Sequence, residues 1–94
     1  MKKYELFAVI KPTVDTDEVD NTVKKIEEII SNLQGNVVDT EKMGKKKLAY
    51  DVQGFKEGFM INQKFNLEED KVKEFRRQVK LNENIIRTMF TQVK

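Results

Sequence analysis

A chain of 94 residues is long enough for one domain with one hydrophobic core. It has no cysteine and no histidine, which excludes disulfides, thiolate or imidazole catalysis, and ordinary zinc or haem ligation. Its 18 basic and 16 acidic residues leave a net charge of +2, too small by itself to specify a nucleic-acid partner. The charge is unevenly spread, with 11 Lys and Arg against 14 Asp and Glu in residues 1–70, and seven against two in residues 71–94. That pattern reads either as helix-surface charge for solubility or as a basic C-terminal quarter suited to an anionic partner. No run approaches the roughly 20 apolar residues that span a bilayer, and Met1-Lys2-Lys3-Tyr4 lacks the apolar stretch of a secretion signal, so a cytoplasmic location is expected.

Tyr4, Leu6, Ala8 and Ile10 alternate with Glu5, Phe7 and Val9, which predicts a central strand with apolar side chains on both faces. Pro12 ends it. Asp15 followed by Glu18 has the spacing of an N-cap and its capping-box partner, so a helix is expected from near Thr16. Val19, Val23, Ile26, Ile30 and Leu33 recur at helical spacing, and Asp17, Glu18 and Asp20 lie where the helix dipole is positive. Gly35 supplies the stop. Asn36 to Val52 is strand-like, with Val37, Val38, Leu48 and Tyr50 as apolar contributors and Gly44 as a bulge that bends the strand. Gln53 to Gly58 reads as a turn, and Phe59, Ile61, Gln63 and Phe65 then alternate with Met60, Asn62 and Lys64 to complete a hairpin. Asn66 is the expected cap of a second helix that carries Val72, Phe75 and Val79 on one face. Leu81 to Asn84 breaks it before a last strand, Ile85 to Val93.

The order βαββαβ predicts an α+β fold, a ferredoxin-like sandwich over residues 1–94 as a single domain. Its four-stranded antiparallel sheet runs in the order 4-1-3-2 with two helices on one face. The opposite sheet face has no cover within the chain, and a partner or RNA is expected there. Parity along the last strand puts Arg87 on this open face together with Ile85 and Met89, because a guanidinium turned toward the helix layer would be costly to desolvate. Phe7, Val9, Met60 and Met89 form the expected apolar docking patch, unless the face merely tolerates apolar residues. Lys45-Lys46-Lys47 allows two readings, phosphate contact or protection of an edge strand against aggregation. Tyr4 either stacks on a base or packs its ring at the core margin. Lys56-Glu57-Gly58-Phe59-Met60-Ile61 has part of the RNA-recognition-motif signature but lacks the second exposed aromatic, so Phe59 is read as core. The only serine, Ser31, lies within the first helix, and no glycine-rich loop precedes either helix, so neither an enzyme nor a bound cofactor or metal is expected.

Gly44 to Tyr50, reading Gly-Lys-Lys-Lys-Leu-Ala-Tyr, together with Tyr4-Glu5, Gly58-Phe59 and Leu81-Asn82-Glu83-Asn84-Ile85-Ile86-Arg87, resembles the bacterial small-subunit ribosomal protein six family. The resemblance runs over essentially the whole chain. It implies a structural protein of the small subunit that binds the central domain of 16S ribosomal RNA together with small-subunit ribosomal protein eighteen, as a heterodimer. Carried over by matching positions, it implies RNA contacts from Lys46 and Lys47, from Lys80 at the end of the second helix, from Arg87, and from Lys2 and Tyr4. It also favours phosphate contact over edge protection for the lysines. Asp51 replaces the proline that many relatives have after Leu-Ala-Tyr, and the basic turn of some relatives is reduced to Lys56. The chain stops at Lys94, so contacts from a C-terminal extension are not expected. Fold alone also admits a small-molecule regulatory module or a self-associating scaffold.

Overall fold

The alternation from Tyr4 to Ile10 builds the first strand, β1 (Lys2–Ile10), of a computed structural model that describes residues 1–93. There follow α1 (Thr16–Asn32), β2 (Asn36–Val52), β3 (Phe55–Leu67), a 3-10 turn at Glu69–Lys71, α2 (Val72–Lys80) and β4 (Ile85–Val93). The strands form one antiparallel sheet in the order β2-β3-β1-β4, which is the expected 4-1-3-2 read from its other edge. Both helices cover one face of it. Between the layers lie Leu6, Ala8, Ile10, Ile61, Phe65 and Leu67 of the sheet, with Val19, Val23, Ile26, Ile30, Phe75 and Val79 of the helices. Four aromatic rings tie the first strand to the C-terminal half, with Phe65 4.8 Å from Phe75 and Phe90 5.1 Å from Tyr4, centroid to centroid.

Asp15 caps α1 as its spacing requires, with Oδ1 accepting a hydrogen bond from the Glu18 N–H at 2.8 Å. Asp15→Ala is expected to destabilise the domain by about 1 kcal/mol and to lower its melting temperature by about 4–8 °C. A melt followed by circular dichroism checks this; an unchanged midpoint would mean the bond contributes nothing net. At the other end of α1 the left-handed residue is Gln34, with φ of 66°. The Gln34 N–H bonds to Ser31 O at 2.9 Å and the Gly35 N–H to Ile30 O at 2.8 Å, a Schellman ending. Gly35 is therefore glycine for a different reason than its helix-stopping conformation. A Cβ there would overlap the Asn66 carbonyl oxygen and sit 2.9 Å from Leu67 Cδ1.

Two further expectations change. The β2–β3 turn is only Gln53-Gly54, both in the left-handed region at φ of 51° and 84°, as a two-residue hairpin favours. Gly58 lies within β3, where a Cβ would come 2.5 Å from Val9 Cγ1 and 2.9 Å from Ile10 O. Asn66 does not cap a helix; it stays in β3, paired with Lys3 on one side and Asn36 on the other. Its backbone is engaged by the sheet, and the chain enters α2 through the 3-10 turn without a side-chain cap.

Candidate nucleic-acid and protein interface

Strand register sorts the uncovered sheet face into three rows. Glu5 lies between Lys64 and Thr91, Phe7 between Asn62 and Met89, and Val9 between Met60 and Arg87. The first row is polar, with Glu5 accepting from Asn62 Nδ2 at 3.4 Å and lying 4.0 Å from Lys64 Nζ. The other two rows are apolar apart from Asn62 and the guanidinium of Arg87. Ile85 leaves this face: the register shifts between Val9 and Ile10, so Arg87 pairs with Val9 but Ile85 pairs with Ile10, and Ile85 packs against the helix-side core.

Beyond Gly44, where φ is 78° and the pairing slips by one residue, the β2–β3 ribbon bends. A larger irregularity follows. Lys47 pairs with Glu57 and Val52 with Phe55, which leaves Leu48, Ala49, Tyr50 and Asp51 opposite Lys56 alone. The extra backbone bulges over the open face and reaches β4, the opposite edge strand. There the Arg87 guanidinium lies over the Tyr50 ring at 5.0 Å, and its Nη1 donates to the Tyr50 hydroxyl oxygen. Gln53 Nε2 donates to the Ile86 carbonyl at 3.4 Å from the same hairpin.

Under the bulge lies an apolar hollow of about 190 Å³. Phe7, Val9, Met60 and Met89 line it from the sheet; Leu48, Tyr50 and Val52 line it from the hairpin, with Arg87 on its edge. Met89 is 53% exposed and Tyr50 60%, so both stand out from the surface. Val9 is only 1% exposed and forms the floor, not the outer surface expected for it, because its side chain lies under Gly58 and between the flanking strands. Among the described residues no cluster of three acidic, histidine or cysteine side chains is placed to hold a metal ion.

Residues 3–92 match the family model described as Ribosomal protein S6. The chain belongs to that family. S6 proteins are structural, non-enzymatic components of the small ribosomal subunit, and this chain is one of them. It is similar to the small ribosomal subunit protein bS6 of Desulfitobacterium hafniense, with 38% identity over 92 residues that span 98% of this chain and 97% of the relative. The bS6 of Clostridioides difficile is also 38% identical, over 95% of this chain and 96% of its own. The crystal structure of 30S ribosomal protein S6 from Thermotoga maritima superposes with a TM-score of 0.93 at 27% identity, covering 98% of this chain and 87% of that one. The C-terminal domain of the MgtC protein from Mycobacterium tuberculosis, at 8% identity and a TM-score of 0.65, shares the fold alone.

In this S6-family chain the residues suggested by sequence do not form one patch. Lys46 pairs with Gly58 and lies on the open side of the ribbon. Lys45 and Lys47 pair with Phe59 and Glu57 on its other side, where Lys45 Nζ sits 5.2 Å over the Phe59 ring. Lys42 is neutralised by Asp20 at 2.6 Å, but among the described residues Lys45, Lys46 and Lys47 have no acidic partner within 4.0 Å. Lys80 ends α2 in the helix layer, so it shares an end of the molecule with Arg87 but not a face. Lys2 lies at the far end of β1, about 23 Å of strand from Val9, and its ammonium meets Glu69 at 2.7 Å. That hydrogen bond and the Glu69 charge raise the Lys2 pKa. Tyr4 is 4% exposed and stacked on Phe90, so its ring is withheld from any base. Sequence reasoning does not find Tyr50 as an Arg87 partner, since the two are 37 residues apart and nothing local joins them.

Proposed function

We propose that this chain binds the central domain of 16S ribosomal RNA together with small-subunit ribosomal protein eighteen, as a heterodimer, in assembly of the cytoplasmic ribosome and in translation. The observation that carries the reading is that one end of the open face holds both the apolar hollow and the Arg87–Tyr50 pair, with Lys46 on the same side of the bent ribbon. Phe7, Met60 and Met89, over the floor made by Val9, suit the apolar anchors of a protein partner. The hollow's 190 Å³ is below the roughly 300–1,000 Å³ of small-molecule pockets and fits a side chain better than a free metabolite. Arg87 lines it, Lys46 lies on the same open side of the bent ribbon and Lys47 on its other side; together they supply charge for phosphates, which position RNA without reading its sequence. Lys80 extends the cation set into the helix layer. Lys2 engages RNA only by exchanging Glu69 for a phosphate, and Tyr4 acts from the core by fixing β1.

Fluorescence anisotropy of a central-domain RNA fragment, with and without protein eighteen and across a salt series, tests the proposal. Lys46→Glu with Lys47→Glu is expected to weaken RNA binding and to flatten the dependence of log affinity on log salt by about 0.7–0.9 for each phosphate no longer neutralised. An unchanged slope would remove these two lysines from the interface. No binding by the folded wild-type protein, in either the presence or absence of the partner, would remove the RNA reading itself.

A further inference from the structure

The helix layer carries a second cationic surface that the open face does not account for. Within α2 stand four basic residues, Lys73, Arg76, Arg77 and Lys80, against one acid, Glu74. Glu74 is already committed: Arg77 donates to it through Nε and Nη2, at 2.9 and 2.6 Å to the nearer oxygens, and Gln78 adds a bond at 3.2 Å. These bonds, from Arg77 first and then Gln78, pull its carboxyl down to about 2. Lys73, Arg76 and Lys80 remain without an acidic partner within 4.0 Å among the described residues. Their three- and four-residue spacing puts them on one side of α2 over about 10 Å of helix. With Glu69, Val72 and Arg77 they line an open groove.

Helix stability explains only part of this pattern. Arg77 and Lys80 in the last turn complement the helix dipole, but Lys73 stands in the first turn, where a cation is disfavoured. Arg76 is held in place, with its guanidinium 5.5 Å over the ring of Phe90, whose stacking partner in the core is Tyr4. The groove has charge, but its one apolar side chain, Val72, is half-buried against the core and supplies no projecting aromatic or aliphatic anchor of the kind a protein interface needs at its centre. Phosphates, by contrast, are held by charge alone. We infer that the Lys73–Arg76–Lys80 side of α2 binds a second stretch of RNA phosphate backbone, on the face of the domain opposite the partner-binding sheet. This rests on the RNA-binding reading above and adds a separate strand contact to it.

The experiment compares wild type, Lys73→Gln with Arg76→Gln, and Lys73→Arg with Arg76→Lys, each titrated with the same RNA fragment and protein eighteen across a salt series. The glutamine pair is expected to flatten the salt slope by about 1.4–1.8 and the charge-conserving pair to keep it. Because the chain has no cysteine, Lys73→Cys and Lys46→Cys can each carry one tethered RNA-cleaving chelate. Cleavage at separate RNA positions from the two sites is expected. A wild-type slope in the glutamine pair, or no cleavage from position 73 while position 46 cleaves, would overturn the inference and leave the open-face reading standing. Failure of wild type to bind RNA would overturn both.

Discussion

Gly35→Ala is expected to lower the melting temperature by roughly 8–16 °C, the equivalent of roughly 2 kcal/mol in a domain of this size. The added methyl would press on the Asn66 carbonyl oxygen, on Leu67 Cδ1 at 2.9 Å and on Ile30 Cγ2 at 3.0 Å. Ile30 and Leu67 are fully buried and the oxygen belongs to a paired strand, so none of the three can yield without moving α1 or β3. The smaller unfolded-state entropy of alanine offsets only a fraction of the clash. Thermal melts of wild type and variant decide the matter. A fall of less than about 2 °C would show that the junction between α1 and β2 relaxes freely.

Met89→Asp is expected to weaken association with protein eighteen at least a hundredfold while leaving the melting temperature nearly unchanged. Met89 is 53% exposed in the free domain, so a carboxylate there stays hydrated until a partner covers it. Burying that charge unpaired against Phe7 and the hollow would then cost several kcal/mol, and about 2.7 kcal/mol already corresponds to a hundredfold change. Calorimetric titration of the partner into each form measures the effect. Undiminished affinity would mean that the partner lies elsewhere and that the open face serves RNA or a second copy.

Much of the architecture is legible because local patterns and tertiary needs agree. The two-residue period of Tyr4–Ile10, the helical period of Val19–Ile30 and the Asp15 cap each describe a backbone that the finished fold leaves unchanged. The exceptions have physical causes. Asn66 is a good cap by residue type, yet β3 hydrogen-bonds on both edges and holds it in the ladder. Val9 alternates onto the open face as expected, but the close approach of Gly58 covers it. Tyr4, for which the sequence leaves base stacking and core packing both open, is drawn into an aromatic cluster assembled from β1, β3, α2 and β4.

The candidate interface divides in the same way. Residue types and motif spacing nominate the lysines after Gly44, Arg87, and the apolar set of Phe7, Val9, Met60 and Met89 as candidates, and they place the chain in its family, because those features are local and survive in any one strand. The sequence also determined the order of elements and the side of the sheet left bare. Only the tertiary structure decided which of these groups meet. The bulge from Leu48 to Asp51 carries Tyr50 across to Arg87, and a register shift beside Ile10 turns Ile85 away while leaving Arg87 on the open face. The antiparallel pairing of β1 places Lys2 at the far end, and membership of α2 places Lys80 on the other layer. Register, bulge depth and the burial of an individual ring depend on contacts between residues tens of positions apart, and no local period encodes them.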